Sequence, residues 1–265
     1  MMIKDVFHSI GAAARRLFAN WGALLISFVL YAGLIAMLYL LFSKEGEGGL
    51  GLATKLEVFL HLPVAIAAIF FLFTLQAMGL SYVRIGVGAG YLLKRALKDC
   101  WKILLTSLPL ILLAWLVIYL FGKADQTFFS ESLTAESKAR AWGAIAVNAA
   151  QIFLLCCVIP LIAIHLWIAT VREGLGAAFK GFGRAVARAL APRSILIYAL
   201  ICAVFGAIVY FLLFQQATVK GEWTQLWAVG IKTALALLMA LIGWLLTLGS
   251  MAEMTARRAM KELEA

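Results

Sequence analysis

The chain has 265 residues, of which 65% are hydrophobic and only 14% are charged. A water-soluble domain has about half apolar and about a quarter charged residues. The composition therefore excludes a soluble enzyme, a disordered tail and a disulfide-rich secreted module. The net charge of +10 would indicate nucleic-acid binding in a soluble protein. Here no basic domain stands apart from the apolar segments, so we expect no nucleic-acid partner.

Six long stretches of the sequence contain no Asp, Glu, Lys or Arg. They are residues 17–43, 58–83, 103–122, 141–171, 194–219 and 233–252. Each reaches the length of about 20 residues that a helix needs to cross a hydrocarbon core of about 30 Å. None alternates in polarity as the strands of a membrane barrel do. We therefore predict one all-α polytopic membrane domain over residues 1–265, with six transmembrane helices. The predicted spans are about 20–42, 58–80, 103–122, 142–170, 194–214 and 226–250.

The basic residues are unevenly divided between the two sides of this predicted bundle. The N-terminal segment, the second and fourth loops and the C-terminus hold 16 of the 23 basic residues but only six of the 13 acidic ones. The opposite side holds equal numbers of each. Because loops rich in Lys and Arg stay in the cytoplasm, we predict a bacterial inner-membrane protein with both termini cytoplasmic.

The long loops on the basic side have the periodicity of amphipathic helices. Between Arg172 and Arg193, apolar residues recur every three or four positions, and basic residues recur every four. This pattern predicts helices that lie in the membrane interface and contact anionic inner-leaflet lipids. The alternative is a solvated basic face. The candidate lipid contacts are Lys94, Arg95, Lys98, Lys180, Arg184 and Arg188.

Similar short segments precede successive pairs of predicted spans. Residues 15–27 match 95–107 at six positions, and residues 86–91 match 174–179 at a different offset. These matches indicate a three-fold repeat of helical hairpins in parallel order. Chance similarity between low-complexity membrane segments is the alternative interpretation.

One region of the sequence resembles a known family. Val158-Ile159-Pro160 lies in the fourth predicted span, and Arg172-Glu173-Gly174 then leads into the basic segment that ends at Pro192. This arrangement resembles the six-span YciC-type bacterial membrane proteins. It is also similar to the membrane domain joined to some glycerophosphodiester phosphodiesterases. The sequence departs from the pattern at Leu161, where a glycine is usual, and lacks a Ser-Trp pair in the basic segment. The resemblance implies an architecture but no site.

Residues for catalysis or metal binding are sparse. The three histidines lie far apart in the sequence, and the four cysteines have no metal-ligand spacing. Nucleophile elbows, phosphate loops and zinc-protease motifs are missing. We therefore predict no enzymatic activity, no cofactor and no metal, and we assign no catalytic residue.

Four strongly polar residues lie within the predicted spans: Gln76, Asn148, Gln151 and His165. They either form hydrogen bonds between helices or line a path for a solute or a lipid headgroup. The sequence therefore supports two functions. The first is an accessory protein of envelope assembly or maintenance, whose cationic face contacts anionic lipids, a membrane-protein partner or a second copy in a homo-oligomer. The second is a transporter or lipid scramblase that uses the polar path.

Overall fold

The computed structural model describes residues 2–19, 21–42, 52–85, 89–132, 138–215 and 221–264. Within these ranges the chain is helical, with turns between helices and no strand. The helices are α1 (Met2–Phe18), α2 (Trp21–Phe42), α3 (Leu52–Ile85), α4 (Ala89–Ser132), α5 (Lys138–Phe153), α6 (Ile159–Glu173), α7 (Leu175–Lys180), α8 (Phe182–Ala189), α9 (Pro192–Phe214) and α10 (Glu222–Glu264). A π-helical turn, Leu154–Val158, joins α5 to α6.

Five helical stretches in the described ranges are long and apolar enough to cross a membrane. They are Pro63–Ser81, Tyr91–Ala124, Ile145–Glu173, Pro192–Phe214 and Trp223–Arg257. The second to sixth predicted spans each overlap one of these stretches. The first overlaps a shorter apolar helix, Leu24–Tyr39, within α2. The all-α class and the membrane character are thereby supported, while the exact number of six spans and the hairpin repeat stay predictions.

Two helices, α4 with 44 residues and α10 with 43, are much longer than a single span requires. The 44 residues of α4 extend over about 66 Å at 1.5 Å per residue, twice the thickness of the hydrocarbon core. The predicted interfacial segment around Lys94 is therefore the first part of α4 and not a separate helix. No Gly or Pro lies between Tyr91 and Leu108 to end the helix there.

The basic segment after α6 is broken into two short helices. Gly174 adopts a φ of 90° at the end of α6, a conformation that side chains disfavour. Gly181 separates α7 from α8, and Pro192 begins α9. The single interfacial helix suggested by the periodicity is thus α7 followed by α8, because glycines interrupt it.

The chain divides into two compact units by its internal contacts. The terminal unit comprises Met1–Trp101 with Ala199–Ala265, and the central unit comprises Lys102–Tyr198. In the terminal unit α10 packs against α1, α2 and α3. In the central unit α6 packs against α7 and α8. The single domain over residues 1–265 stays a prediction.

Two glycines allow close helix packing in the terminal unit. A Cβ atom on Gly79 of α3 would lie 2.9 Å from Leu245 Cδ2 of α10. A Cβ atom on Gly243 of α10 would lie only 2.8 Å from Phe205 Cβ of α9. Small residues let helices approach closely where apolar burial gives no net gain, as in a lipid environment. These two glycines thus allow α3 and α9 to approach α10 closely.

Pro160 explains the π-helical turn in the central unit. It lies at the start of α6, and proline has no N–H to donate to the carbonyl four residues earlier, with which its ring also clashes. That carbonyl belongs to Cys156 and accepts a hydrogen bond from Tyr198 Oη of α9. The wider π turn accommodates the proline ring, and Tyr198 satisfies the polar group that a regular helix would have satisfied.

Replacing Tyr198 with phenylalanine is expected to lower the free energy of unfolding by about 1 kcal/mol, the value of one interhelical hydrogen bond. In a Pro160→Ala background the loss should be smaller, because the alanine supplies the N–H that proline lacks. Unfolding in mixed micelles measures both values as a double-mutant cycle. Tyr210→Phe, at an exposed position of the same helix, is the control. An equal loss in both backgrounds would contradict the explanation.

Candidate functional site

The first helix divides its surface into three sectors. One sector is buried, and α1 packs against α10; it consists of Val6, Ser9, Ala13 and Leu17. A second sector is apolar yet exposed and includes Ile3, Phe7 and Phe18. The third carries the exposed side chains of Lys4, His8 and Arg15. The helix therefore has an apolar surface and a cationic surface besides the face that holds it to the protein.

The same order of side chains recurs in two other segments. In α4, Ala96 is buried, Leu97 is 45% exposed and Lys98 is exposed. In α7, Ala178 is buried, Phe179 is 43% exposed and Lys180 is exposed. Each triplet corresponds to Ala13-Ala14-Arg15 of α1, in which Ala14 is half-buried. Because successive residues are about 100° apart around a helix, buried, apolar and cationic sectors follow one another in the same rotational sense in all three segments.

The six predicted lipid contacts lie on α4, α7 and α8. Four of them are exposed: Lys94, Lys98, Lys180 and Arg184. Arg95 is partly covered, and its Nε lies 4.0 Å from Asp99 Oδ2. The Arg188 carbonyl accepts a hydrogen bond from Ser194 Oγ at 2.7 Å, and this contact connects the last turn of α8 to α9. The first three residues belong to the terminal unit and the last three to the central unit.

A charged network connects α1 to the last part of α10. Glu253 accepts from Arg16 Nη1 at 3.0 Å and from Arg257 Nε at 3.2 Å. Arg257 Nη2 lies 2.8 Å from His8 Nδ1, and this ring nitrogen accepts because arginine can only donate. Glu253 and Arg257 lie four residues apart on α10, a spacing at which helical side chains meet. Nothing in the sequence indicates that Arg16 and His8 of α1 join this pair.

An apolar cavity of about 690 Å³ opens in the terminal unit. Its walls come from the end of α1, the first two turns of α2, one residue of α9 and the middle of α10. Phe18 and Trp21 stand next to each other at the junction of α1 and α2, with ring centroids 5.6 Å apart. The lining contains no charged side chain. The cavity therefore suits a hydrocarbon chain and not a polar solute.

The four intramembrane polar residues have different surroundings. In the terminal unit Gln76 Oε1 accepts from Trp244 Nε1 at 2.7 Å. In the central unit His165 Nε2 lies 3.1 Å from Ser194 Oγ, whose hydroxyl donates to the Arg188 carbonyl. Asn148 is exposed on α5 and Gln151 is half-buried. Two of the four thus have the interhelical hydrogen bonds of the structural interpretation, while a shared path stays a prediction.

Comparison of the chain with family models, curated proteins and solved structures gave no match. The resemblance to YciC-type proteins accordingly stays a prediction, and the function has to be inferred from the geometry. In the part of the chain that the structure describes, no three His, Cys, Asp or Glu side chains come together in a way that could hold a metal ion. The surface features that remain are cationic and apolar sectors that lie side by side.

Proposed function

We propose that this protein is a non-enzymatic integral protein of the bacterial inner membrane, with six spans and both termini in the cytoplasm. Its cationic inner face contacts anionic lipids or a partner, and its role in envelope assembly or maintenance is accessory. The non-enzymatic part of this proposal rests on the sequence, which offers few acids and bases to an active site.

A single observation carries the proposal, namely that large apolar side chains are exposed directly beside exposed cations. Around α7 and α8, Phe179, Phe182 and Leu190 are 43%, 37% and 47% exposed, while Lys180 and Arg184 are exposed next to them. Exposing such a surface to water costs about 25 cal/mol of free energy for each Å² of apolar area. At a membrane interface the rings enter the acyl boundary and the cations meet the phosphates.

The buried face of this segment is made of small residues. Ala178, Ala185 and Ala189 are the buried positions of α7 and α8, and both helices pack against α6. The aromatic residues are therefore not needed for the packing of the protein and are available to lipid. Amphipathic helices that lie in the interface have this division between a Phe- or Leu-rich side and a Lys- or Arg-rich side.

The charge distribution favours the cytoplasmic side for all three segments, namely α1, the first part of α4, and α7. The regions that carry them have the excess of Lys and Arg that keeps loops in the cytoplasm. The cytoplasmic leaflet carries a negative surface potential, and each nearby Lys or Arg contributes about 1 kcal/mol of attraction. An interfacial helix with several cations thus prefers this leaflet.

The test is to replace the six candidate contacts together by glutamine: Lys94, Arg95, Lys98, Lys180, Arg184 and Arg188. The wild-type protein, purified from mixed phosphatidylglycerol and phosphatidylcholine membranes, should retain the anionic lipid in excess. The enrichment of the six-residue variant should be lower by a factor of about five or more. Native mass spectrometry of the retained lipids gives the ratio.

A matched control neutralises six basic residues of the predicted opposite side: Lys44, Lys55, Lys123, Lys138, Arg140 and Lys220. Its enrichment should fall less than that of the inner-face variant, since acids balance these residues in the wild type and they attract little anionic lipid there. Equal losses in the two variants, or no enrichment in the wild type, would refute the proposed role of the inner face.

A further inference from the structure

The cavity of the terminal unit has the size of one lipid chain. Its volume is about 690 Å³, within the range of about 300–1,000 Å³ that is usual for small-molecule sites. If a methylene group takes about 30 Å³, the share of one water in the liquid, the cavity holds on the order of twenty such groups. That matches one long acyl chain.

An exposed cation of α1 lies one helical turn before a residue of the cavity lining. Phe18 lines the cavity, and Arg15 precedes it by three residues on α1, which places the two side chains on neighbouring positions one turn apart. Arg15 is exposed. The adjacent Arg16 is already paired with Glu253 at 3.0 Å, so Arg15 is the cation that faces outward at this end of α1.

We propose that the cavity binds one anionic glycerophospholipid, with an acyl chain between α2 and α10 and the headgroup phosphate on Arg15. The site is separate from the six contacts proposed above. It rests on the proposed function only for the placement of α1 at the anionic leaflet. Aromatic residues such as Trp21 prefer this depth of the membrane.

The headgroup has to provide the selectivity. An acyl chain gains little apolar burial when it leaves other lipid tails for the cavity, because both surroundings are equally apolar. The phosphate of an anionic headgroup, whose charge no choline cation offsets, in contrast gains the Arg15 cation one helical turn from the cavity wall. One such contact corresponds to about a fivefold preference for an anionic over a zwitterionic lipid.

The experiment uses the full-length protein in nanodiscs with traces of lipid that carries a photoreactive group in its acyl chain. One probe is a phosphatidylglycerol and the other a phosphatidylcholine. Mass spectrometry of the cross-linked peptides should locate the label on residues 18–28 and 238–246, about fivefold more with the anionic probe. Arg15→Gln should abolish that preference, while Lys4→Gln, at an exposed cation of the same helix, should preserve it.

A second variant tests the cavity itself. Gly22 lines the cavity and is exposed, and Gly22→Leu fills space without a loss of helix propensity. Labelling of residues 238–246 should then fall severalfold with both probes. Unchanged labelling in Gly22→Leu, an unchanged preference in Arg15→Gln, or cross-links to a second copy in place of lipid would each overturn the proposal.

The six-residue variant described above separates this proposal from the function proposed for the inner face. It should keep the fivefold preference at residues 238–246 while it loses general enrichment. If general enrichment proves independent of the six residues but the cavity preference persists, the proposed function fails and the lipid site stands. Loss of the cavity preference in that variant would overturn the lipid site instead.

Discussion

Replacing Glu253 with glutamine is expected to weaken the packing of α1 on α10. Among single charge changes in the described network, it should have the largest effect on this packing. The carboxylate is largely buried, with 14% of the side chain exposed, and it receives both Arg16 and Arg257. Its loss leaves two guanidinium groups facing each other with no anion between them. Hydrogen bonds to charged groups contribute about 1.5–3 kcal/mol. Because Arg16 is half-exposed, we expect a loss of about 2 kcal/mol.

Hydrogen exchange of the α1 amides measures this effect. A loss of about 2 kcal/mol corresponds to roughly 30-fold faster exchange through local opening, while the amides of α6 should keep their rates. Glu173→Gln removes a carboxylate from an exposed position and serves as the control. Adding Arg16→Gln to Glu253→Gln should restore part of the protection, since it removes the repulsion. If α1 exchanges no faster in Glu253→Gln, the network does not hold this helix.

Replacing Gly243 with alanine is expected to destabilise the terminal unit by about 2 kcal/mol. The new methyl group would lie 2.8 Å from Phe205 Cβ and 2.9 Å from Phe205 Cγ. Those atoms are close to the α9 backbone and cannot rotate away, so α9 itself has to move. Overpacking of this kind typically costs about 1–3 kcal/mol. The free energy of unfolding in mixed micelles measures it.

Alanine substitutions at two other glycines serve as comparisons for Gly243→Ala. Gly230 lies on the same helix, and a Cβ atom there would meet nothing within 4 Å, so Gly230→Ala should have no measurable cost. At Gly79 the nearest atoms are the ends of leucine side chains at 2.9 and 3.1 Å, which can rotate; Gly79→Ala should fall between the other two. Equal stability of the Gly243 and Gly230 variants would contradict the close packing of α9 and α10.

The membrane-spanning helices were predictable from the sequence because charge-free length is itself the physical requirement for a span. The amphipathic spacing between Arg172 and Arg193 was also visible. The division of that segment at Gly174 and Gly181 was not, because periodicity records which residues share a face and not whether the helix is continuous. The burial of alanines in place of phenylalanines there depends on the packing against α6.

The network and the cavity depend on contacts between distant parts of the chain. Arg16 and Glu253 are far apart in the sequence, and no spacing rule joins them. The cavity is lined by Phe205, which packs closely on Gly243, and by Phe18 and Trp21 at the junction of α1 and α2. Such tertiary contacts are decided by the packing of whole helices, which hydropathy and charge patterns do not describe.

The most direct test of the interfacial placement is a depth measurement on α7. In a variant whose four native cysteines are replaced by alanine, spin labels are attached one at a time at Phe179→Cys and Lys180→Cys. In nanodiscs, these labels report collisions with oxygen in lipid and with a nickel chelate in water. Phe179 should lie below the phosphates and collide mainly with oxygen, whereas Lys180 should lie at headgroup depth and collide mainly with the chelate. Equal and high collision with the chelate at both positions would place this segment in water and contradict the account.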